Sequence, residues 1–171
     1  MNRVEISAGE IPLPAWAGAA ERFVLRILEK IGRDGWDLSL LFCNNACIRS
    51  LNARYRQRDE PTDILSFPMG ETLEGEEGEP RYLSGDIVIS LETWMENARF
   101  FGIAPDEELR RLLIHGILHL DGMDHLTNEE TEPMLLLQEE ILKSLPGERI
   151  LPLSGPGNSL TEKETYEFGF Y

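Results

Sequence analysis

The sequence predicts an α/β (α+β) fold: a single compact domain with a mixed, mostly four-stranded sheet and about five helices. The 171 residues are 42% apolar, which is enough for one core without disulfides. The hydrophobic period alternates between two and 3.6, as expected for interleaved strands and helices. No repeat or long linker interrupts the first 145 residues. We therefore expect one domain over 1–145 and an extended or disordered tail over 146–171, where prolines and glycines are frequent.

Three short strands and two helices are predicted in the first part of the chain. The strands cover about 4–7, 38–43 and 64–67, and the helices cover about 14–31 and 45–55. In the first helix, Trp16, Phe23 and Ile27 recur at helical spacing and define one apolar face. Asn44 or Asn45 caps the second helix, since a short polar side chain can accept a hydrogen bond from its first turn.

The remaining segments follow from composition and spacing. They are a mobile surface loop over 69–84, a buried strand over 86–91, and helices over 92–101, from Pro105 onward, and over about 128–144. The loop is predicted because it consists largely of glycine and glutamate. The strand is predicted because β-branched residues are frequent in it and Gly85 precedes it. Pro105 suits the first turn of a helix, and the acidic residues after it match the positive end of the helix dipole.

The net charge is −15, and the negative excess lies after residue 70. Such a surface repels a polyanion, so binding of nucleic acid requires a local basic feature. One candidate is the cluster of Arg49, Arg54, Arg56 and Arg58. Taken alone, a run of this kind is more typical of a solvated helix face.

The three histidines of the chain form a motif, His115-x-x-x-His119-x-x-Gly122-x-x-His125. Residues four apart on a helix lie one turn above each other, so His115 and His119 can share a metal ion. Gly122 can adopt the left-handed conformation that ends the helix and returns His125 to the same point. Three neutral nitrogens leave a fourth tetrahedral position for water, which is typical of a catalytic zinc site.

Two acidic residues flank the third histidine. Asp121 and Asp124 either accept the second ring N–H of a metal-binding histidine or are exposed acids of the turn. The residues leave both interpretations open.

The histidine spacing matches the H-E-x-x-H-x-x-G-x-x-H pattern of metzincin peptidases, with one departure. Their general base is the glutamate after the first histidine, and Gly116 occupies that place here. Peptide cleavage loses the group that protonates its amine leaving group. Phosphodiester cleavage instead needs stabilisation of charge on non-bridging oxygens, which a metal ion and an arginine can supply.

Two further features concern the cellular compartment. Cys43 and Cys47 are too few for a disulfide framework, and we expect both to be small buried apolar residues. No secretory leader pattern opens the sequence, and no apolar run approaches the length of a membrane span. We therefore expect a soluble cytoplasmic protein with no membrane partner.

Three segments resemble the bacterial YbeY family of metal-dependent endoribonucleases. They are His115-Gly116-x-Leu118-His119-Leu120-x-Gly122-x-Asp124-His125, then Leu51-Asn52-x-x-Tyr55-Arg56-x-x-Asp59-x-Pro61-Thr62-Asp63-Ile64-Leu65-Ser66-Phe67-Pro68, and Gly85-Asp86-Ile87-Val88-Ile89-Ser90. The resemblance covers roughly residues 4–145, with the motifs in the family's order. One departure is Met123, which stands where the family usually has tyrosine.

The resemblance implies a metal-dependent endoribonuclease domain that holds one Zn²⁺ per chain through His115, His119 and His125. It implies cleavage of single-stranded RNA, small-subunit ribosomal RNA 3′-end maturation and ribosome quality control, with the ribosome or ribosome-associated proteins as partners. The family's functionally important arginine falls on Arg56. This implies a phosphate-binding or transition-state role for Arg56, whereas Arg49, Arg54 and Arg58 remain solvated or backbone-steering charges.

Two functions from different classes stay open. In the first, water or a ribose 2′-hydroxyl attacks phosphorus while Arg56 neutralises the developing charge. In the second, zinc only stabilises a non-catalytic ribosome-assembly factor; the missing general base and the acidic surface favour it. A metallopeptidase ranks third.

Overall fold

The computed structural model describes residues 1–75 and 78–153. Four strands and five helices follow one another in these residues: β1 (Arg3–Gly9), α1 (Ala17–Lys30), β2 (Trp36–Cys43), α2 (Asn45–Arg56), β3 (Ile64–Glu74), β4 (Pro80–Ser90), α3 (Leu91–Phe101), α4 (Pro105–Leu120) and α5 (Pro133–Ser144). Asn44 caps α2 by accepting a hydrogen bond from the backbone N–H of Cys47. The predicted fold class is confirmed.

The strands form one mixed sheet in the order β1-β2-β4-β3. β1, β2 and β4 run parallel, and β3 pairs antiparallel to β4. The strand order places β3 at one edge of the sheet. The β3–β4 register shifts between Pro68 and Glu71. Opposite this shift Gly85 has φ +135°, and a Cβ there would lie 2.1 Å from the carbonyl oxygen of Phe67. Only glycine fits this close approach of the two strands.

The two faces of the sheet carry different layers. Leu40, Phe42 and Ile87 belong to the larger core, which includes side chains of α1, α3, α4 and α5. Leu65 and Val88 belong to a smaller core with Ile48 of α2 and Cys43. The edge strand β3 therefore separates α2 on one face from α4 on the other.

Cys43 is fully buried in this smaller core, whereas Cys47 is partly exposed. The cysteines thus pack against apolar side chains as expected, although Cys47 is less buried than predicted.

The predicted mobile loop over 69–84 is wrong for most of its length. Residues 69–74 continue β3 and residues 80–84 begin β4, with Thr72 opposite Tyr82. The hairpin is tied to β2, because Arg81 forms an ion pair with Asp37 and the Tyr82 ring packs 5.0 Å from the Trp36 ring. The described acidic side chains of this segment, those of Glu71, Glu74 and Glu79, are exposed. Residues 76 and 77 lie outside the described residues.

The last helix is shorter than predicted. It begins at Pro133 rather than near residue 128, because Thr127 and Glu132 close a polar turn in which the Glu132 carboxylate accepts bonds from the backbone N–H and hydroxyl of Thr127. Proline then suits the first helical position.

The chain after α5 packs onto the body of the protein. Ile150 is 3% exposed and lies in the larger core. The buried carboxylate of Asp106 accepts 2.8 Å hydrogen bonds from the backbone N–H groups of Ile150 and Leu151, and it also pairs with Arg110. The packed domain thus extends past residue 145. The rest of the predicted tail, residues 154–171, lies outside the described residues.

Across the described part of the chain, no helix has both the length and the apolar composition needed to cross a membrane.

Candidate active site

The structure brings the three predicted metal ligands together. His115 and His119 project from the last turns of α4, and their Nε2 atoms lie 3.0 Å apart. Gly122 has φ +88°, as predicted for the stop that follows the helix, and it turns the chain so that His125 joins the pair. One ring nitrogen from each histidine lies within 4.8 Å of the others. This spacing allows one ion to contact all three.

The other nitrogen of each ring has a partner that fixes its orientation. The Nδ1 of His115 lies 2.8 Å from Oε1 of Gln138 on α5. The Nδ1 of His119 lies 3.0 Å from the Met123 carbonyl oxygen, and the Nδ1 of His125 lies 2.8 Å from the Thr127 carbonyl oxygen. Each partner accepts a hydrogen bond, so these contacts assign the proton to Nδ1 and leave the Nε2 lone pairs available for a metal.

Burial favours the neutral form that binds metals. Desolvation lowers the pKa of His115 more than the bond to Gln138 raises it. Desolvation likewise lowers the pKa of His119, against the raising effect of its bond to the Met123 carbonyl. Both imidazoles are therefore neutral at neutral pH, as coordination requires.

The two flanking acids have different roles. Asp121 forms a bidentate ion pair with Arg33, with nitrogen–oxygen distances of 2.6 and 3.1 Å. This pair anchors the end of α4 to the turn after α1. Asp124 lies 3.9 Å from Nδ1 of His119, and its side chain is 82% exposed. Its carboxylate accepts a bond from the backbone N–H of His125 instead. The acceptors that orient the rings are thus Gln138 and two backbone carbonyls.

The position of the peptidase general base, Gly116, faces the sheet. A Cβ on Gly116 would lie 2.9 Å from Cδ1 of Ile87 and 3.0 Å from Cδ1 of Ile64. Helix α4 therefore lies close against β3 and β4 at this point, and glycine makes this approach possible. The Cβ of a glutamate here would contact the sheet, and the side-chain ends of Ile64 and Ile87 would have to shift to accommodate it.

A cleft of about 770 Å³ opens beside the histidines. Its walls come from α2, the segment that follows it, the edge strand β3 and the end of α4. The lining residues are Asn52, Arg56, Arg58, Glu60, Pro61, Thr62, Ile64, Leu65, Ser66, Pro68, His115, His119, Gly122, Met123 and Asp124. Arg56 and two of the three histidines thus face the same space, although they belong to distant segments of the chain.

Arg56 is the last residue of α2. Its Nη2 donates a 2.9 Å hydrogen bond to the carbonyl oxygen of Ser66 on β3, and its guanidinium carbon lies 5.8 Å from the centre of the Phe67 ring. Gln57 follows in the left-handed conformation, with φ +60°, and ends the helix at this point. These contacts place a cation on the wall of the cleft.

The other arginines of the cluster are placed differently. Arg49 pairs with Asp59 through two hydrogen bonds of 2.8 and 3.1 Å. Arg54 lies over the ring of Tyr55, and Arg58 lines the cleft. The basic cluster therefore contributes two cations, Arg56 and Arg58, to the cleft itself.

Sequence reasoning missed Gln138, which is 6% exposed and lies 23 residues after His115. A buried glutamine on an otherwise apolar helix face is the one signal that points to it.

Comparison with known proteins gives one consistent result. The family model described as Endoribonuclease YbeY matches residues 4–146. The Endoribonuclease YbeY of Treponema denticola is 49% identical over 122 residues, covering 71% of this chain and 79% of the relative. That of Treponema pallidum is 45% identical over 142 residues, covering 83% and 89%.

A solved structure shares the fold. The solution structure of TM1509 from Thermotoga maritima matches with a TM-score of 0.57 and 28% identity, covering 91% of this chain and 99% of that one. The match of the family model over most of the chain, together with relatives of this identity, shows that the chain belongs to the YbeY family of endoribonucleases.

Proposed function

We propose that this protein is a zinc-dependent endoribonuclease that cuts single-stranded RNA in the cleft between α2, β3 and α4. The observation that carries the proposal is the position of Arg56 on the wall of the same cleft as His115 and His119. A metal ligand set and a phosphate-binding cation on one cleft suit phosphodiester chemistry. The family membership of the chain supports the same reaction.

The donor set supports His115, His119 and His125 as the ligands of one divalent ion. Three neutral imidazoles with their Nδ1 protons engaged are suited to zinc. In the part of the chain that the structure describes, no fourth His, Cys, Asp or Glu joins the cluster, which leaves room for an exchangeable ligand. When bound, such an ion supplies Lewis acidity and lowers the pKa of coordinated water.

Arg56 is proposed to bind the scissile phosphate. Its guanidinium has five N–H donors, and the bond to Ser66 uses one of them. That bond and the Phe67 ring orient the group, so less side-chain entropy is lost when a phosphate binds. Charge that develops on a non-bridging oxygen is then neutralised by a cation held in place beforehand.

The proposed physiological substrate is ribosomal RNA, in small-subunit 3′-end maturation and ribosome quality control in the cytoplasm. This finer assignment is supported by the resemblance of the motifs to the YbeY family. Because the net charge is −15, we propose that the ribosome or a ribosome-associated protein brings the enzyme to its RNA. Absence of co-sedimentation with ribosomal particles would count against this step.

One observation favours the non-catalytic alternative. Gly116 stands where the metzincin motif carries its general base, and this position faces Ile64 and Ile87 of the sheet. In that case the metal would only stabilise the end of α4 in a ribosome-assembly factor. A peptidase is disfavoured by the same glycine.

The test measures metal content and RNA cleavage on one preparation. We expect His115→Ala to lose both metal and cleavage. Arg56→Ala should lose cleavage while it still folds and holds metal, because Arg56 is exposed and its described contacts are with β3 rather than with the histidines. If zinc-replete wild-type protein leaves a single-stranded RNA intact but still rescues ribosome maturation in cells, the catalytic proposal is wrong. Turnover of casein that a chelator stops would support the peptidase instead.

A further inference from the structure

We propose that Arg54, Tyr55 and Phe67 form a platform that binds a base and a phosphate of the RNA where the strand leaves the cleft. We call these three residues the α2 platform. The inference rests on the proposed endoribonuclease function and adds a subsite to it.

Together with Arg56, the α2 platform forms a row of two aromatic rings with a cation at each end. The guanidinium carbon of Arg56 lies 5.8 Å from the centre of the Phe67 ring. The Phe67 and Tyr55 rings meet edge to face, with centroids 5.3 Å apart. The guanidinium carbon of Arg54 then lies 5.3 Å from the centre of the Tyr55 ring. Each member thus contacts the next.

This row begins at the wall of the cleft. Ser66 and Pro68 line the cleft, and Phe67 between them points to the opposite face of β3 because side chains alternate along a strand. Phe67 accordingly packs with the smaller core under α2. Arg56 lies at the edge between the two faces, since it lines the cleft and also contacts Phe67. An RNA strand that passes Arg56 therefore reaches Tyr55 next.

Tyr55 is largely exposed to solvent, although it contacts two neighbouring side chains. The residue is 55% exposed, although its neighbour Phe67 is half-buried. Proteins that bind single strands combine aromatic side chains, on which bases stack, with arginines that contact the backbone. On a chain with a net charge of −15, guanidinium groups on both sides of two rings form a local site suited to a polyanion with exposed bases.

The test uses the metal-loaded full chain and two fluorescein-labelled 2′-O-methyl strands of equal length, one with bases and one abasic. Binding is followed by fluorescence anisotropy, and a gel confirms that the strands stay intact. The variants are Tyr55→Leu, Tyr55→Phe and Arg54→Gln. The matched controls are Phe100→Leu, which changes an aromatic side chain that is 83% exposed and does not line the cleft, and Arg49→Gln, which changes an arginine already paired with Asp59.

We expect Tyr55→Leu to weaken binding of the base-bearing strand by about 5- to 150-fold. The affinity of the Tyr55→Leu variant for the abasic strand should stay unchanged, and the Tyr55→Phe variant should bind both strands like wild type. Arg54→Gln should reduce the slope of log affinity against log salt by about 0.7, the value for one lost phosphate contact on a single strand. Neither control should change affinity or slope.

The proposal is refuted if Tyr55→Leu binds the base-bearing strand as tightly as wild type, the result expected if the α2 platform serves a protein partner. It is also refuted if Tyr55→Leu loses affinity for both strands equally together with a lower Tm, because this shows a packing role. Cleavage of an RNA of the same sequence by wild-type protein is measured in parallel. If wild-type protein cleaves the RNA but Tyr55→Leu does not weaken binding, only the α2 platform is rejected. If wild-type protein does not cleave the RNA, the proposed function is rejected.

Discussion

Replacing Gln138 with leucine removes the acceptor that orients His115. Gln138 is 6% exposed, and its Oε1 lies 2.8 Å from Nδ1 of His115. Leucine has a similar size, so α5 can stay packed against α4. The Nδ1 proton of a largely buried ring, however, loses its partner. The change therefore acts on the metal site through a residue that does not itself contact the metal.

Two known energy ranges give the expected loss of zinc affinity. Loss of a hydrogen bond to a metal-binding histidine typically weakens metal binding 10- to 100-fold, which is about 1.4–2.7 kcal/mol. A buried donor left without a partner costs about 1–3 kcal/mol, which is the same range. We therefore expect the zinc dissociation constant to rise by about one to two orders of magnitude.

The assay is competition for zinc with a chromophoric chelator at neutral pH. Leu136→Ala is the matched control, because Leu136 lies on the same helix and is 57% exposed. This control should bind zinc like wild type. An unchanged dissociation constant for Gln138→Leu would refute the assignment of His115 as a ligand oriented by Gln138.

Three further predictions concern stability. Gly116→Glu, which completes the peptidase pattern, should lower the free energy of unfolding by about 3 kcal/mol or more, because the new side chain overlaps Ile87 and buries a charge. Asp106→Ala should lower it by about 2–4 kcal/mol and speed hydrogen exchange at Ile150, whose N–H loses its acceptor. Metal-free protein should lose stability as the pH falls below about 6.5, because the native state holds His115 neutral while the unfolded state takes up a proton.

Each of these three has its own check. Urea unfolding with Gly18→Glu, an exposed glycine, is the control for Gly116, and equal losses would exclude the close approach of α4 to the sheet. Slow exchange at Ile150 in the Asp106 variant would contradict the anchoring role of that carboxylate. For the pH effect, His115→Gln should flatten the slope, and an equally steep slope in this variant would show that other groups carry it.

The histidine motif predicted the central geometry because its determinants are local. Two imidazoles one turn apart on a helix must share a face, and Gly122 is the residue whose left-handed conformation turns the chain towards His125. The strands and helices were predictable for the same reason, since their hydrophobic periods are written in consecutive residues.

What could not be predicted depends on contacts between distant segments. The acceptors for His119 and His125 are backbone carbonyls, which leave no trace in residue type. Residues 69–84 are predicted as a loop because glycine and glutamate are frequent there, yet residues 71–74 pair with residues 80–83 across the β3–β4 hairpin. Similarly, the sequence explains Asp106, one of the acidic residues after Pro105, by the helix dipole alone, whereas it is buried and accepts hydrogen bonds from the backbone N–H groups of Ile150 and Leu151.

The most direct test of the metal site is X-ray absorption at the zinc edge on the zinc-loaded protein. We expect one ion per chain with three histidine nitrogens at about 2.0–2.1 Å and one light-atom ligand in the fourth position. A coordination shell that contains sulfur, four protein side chains or fewer than three imidazoles would contradict it.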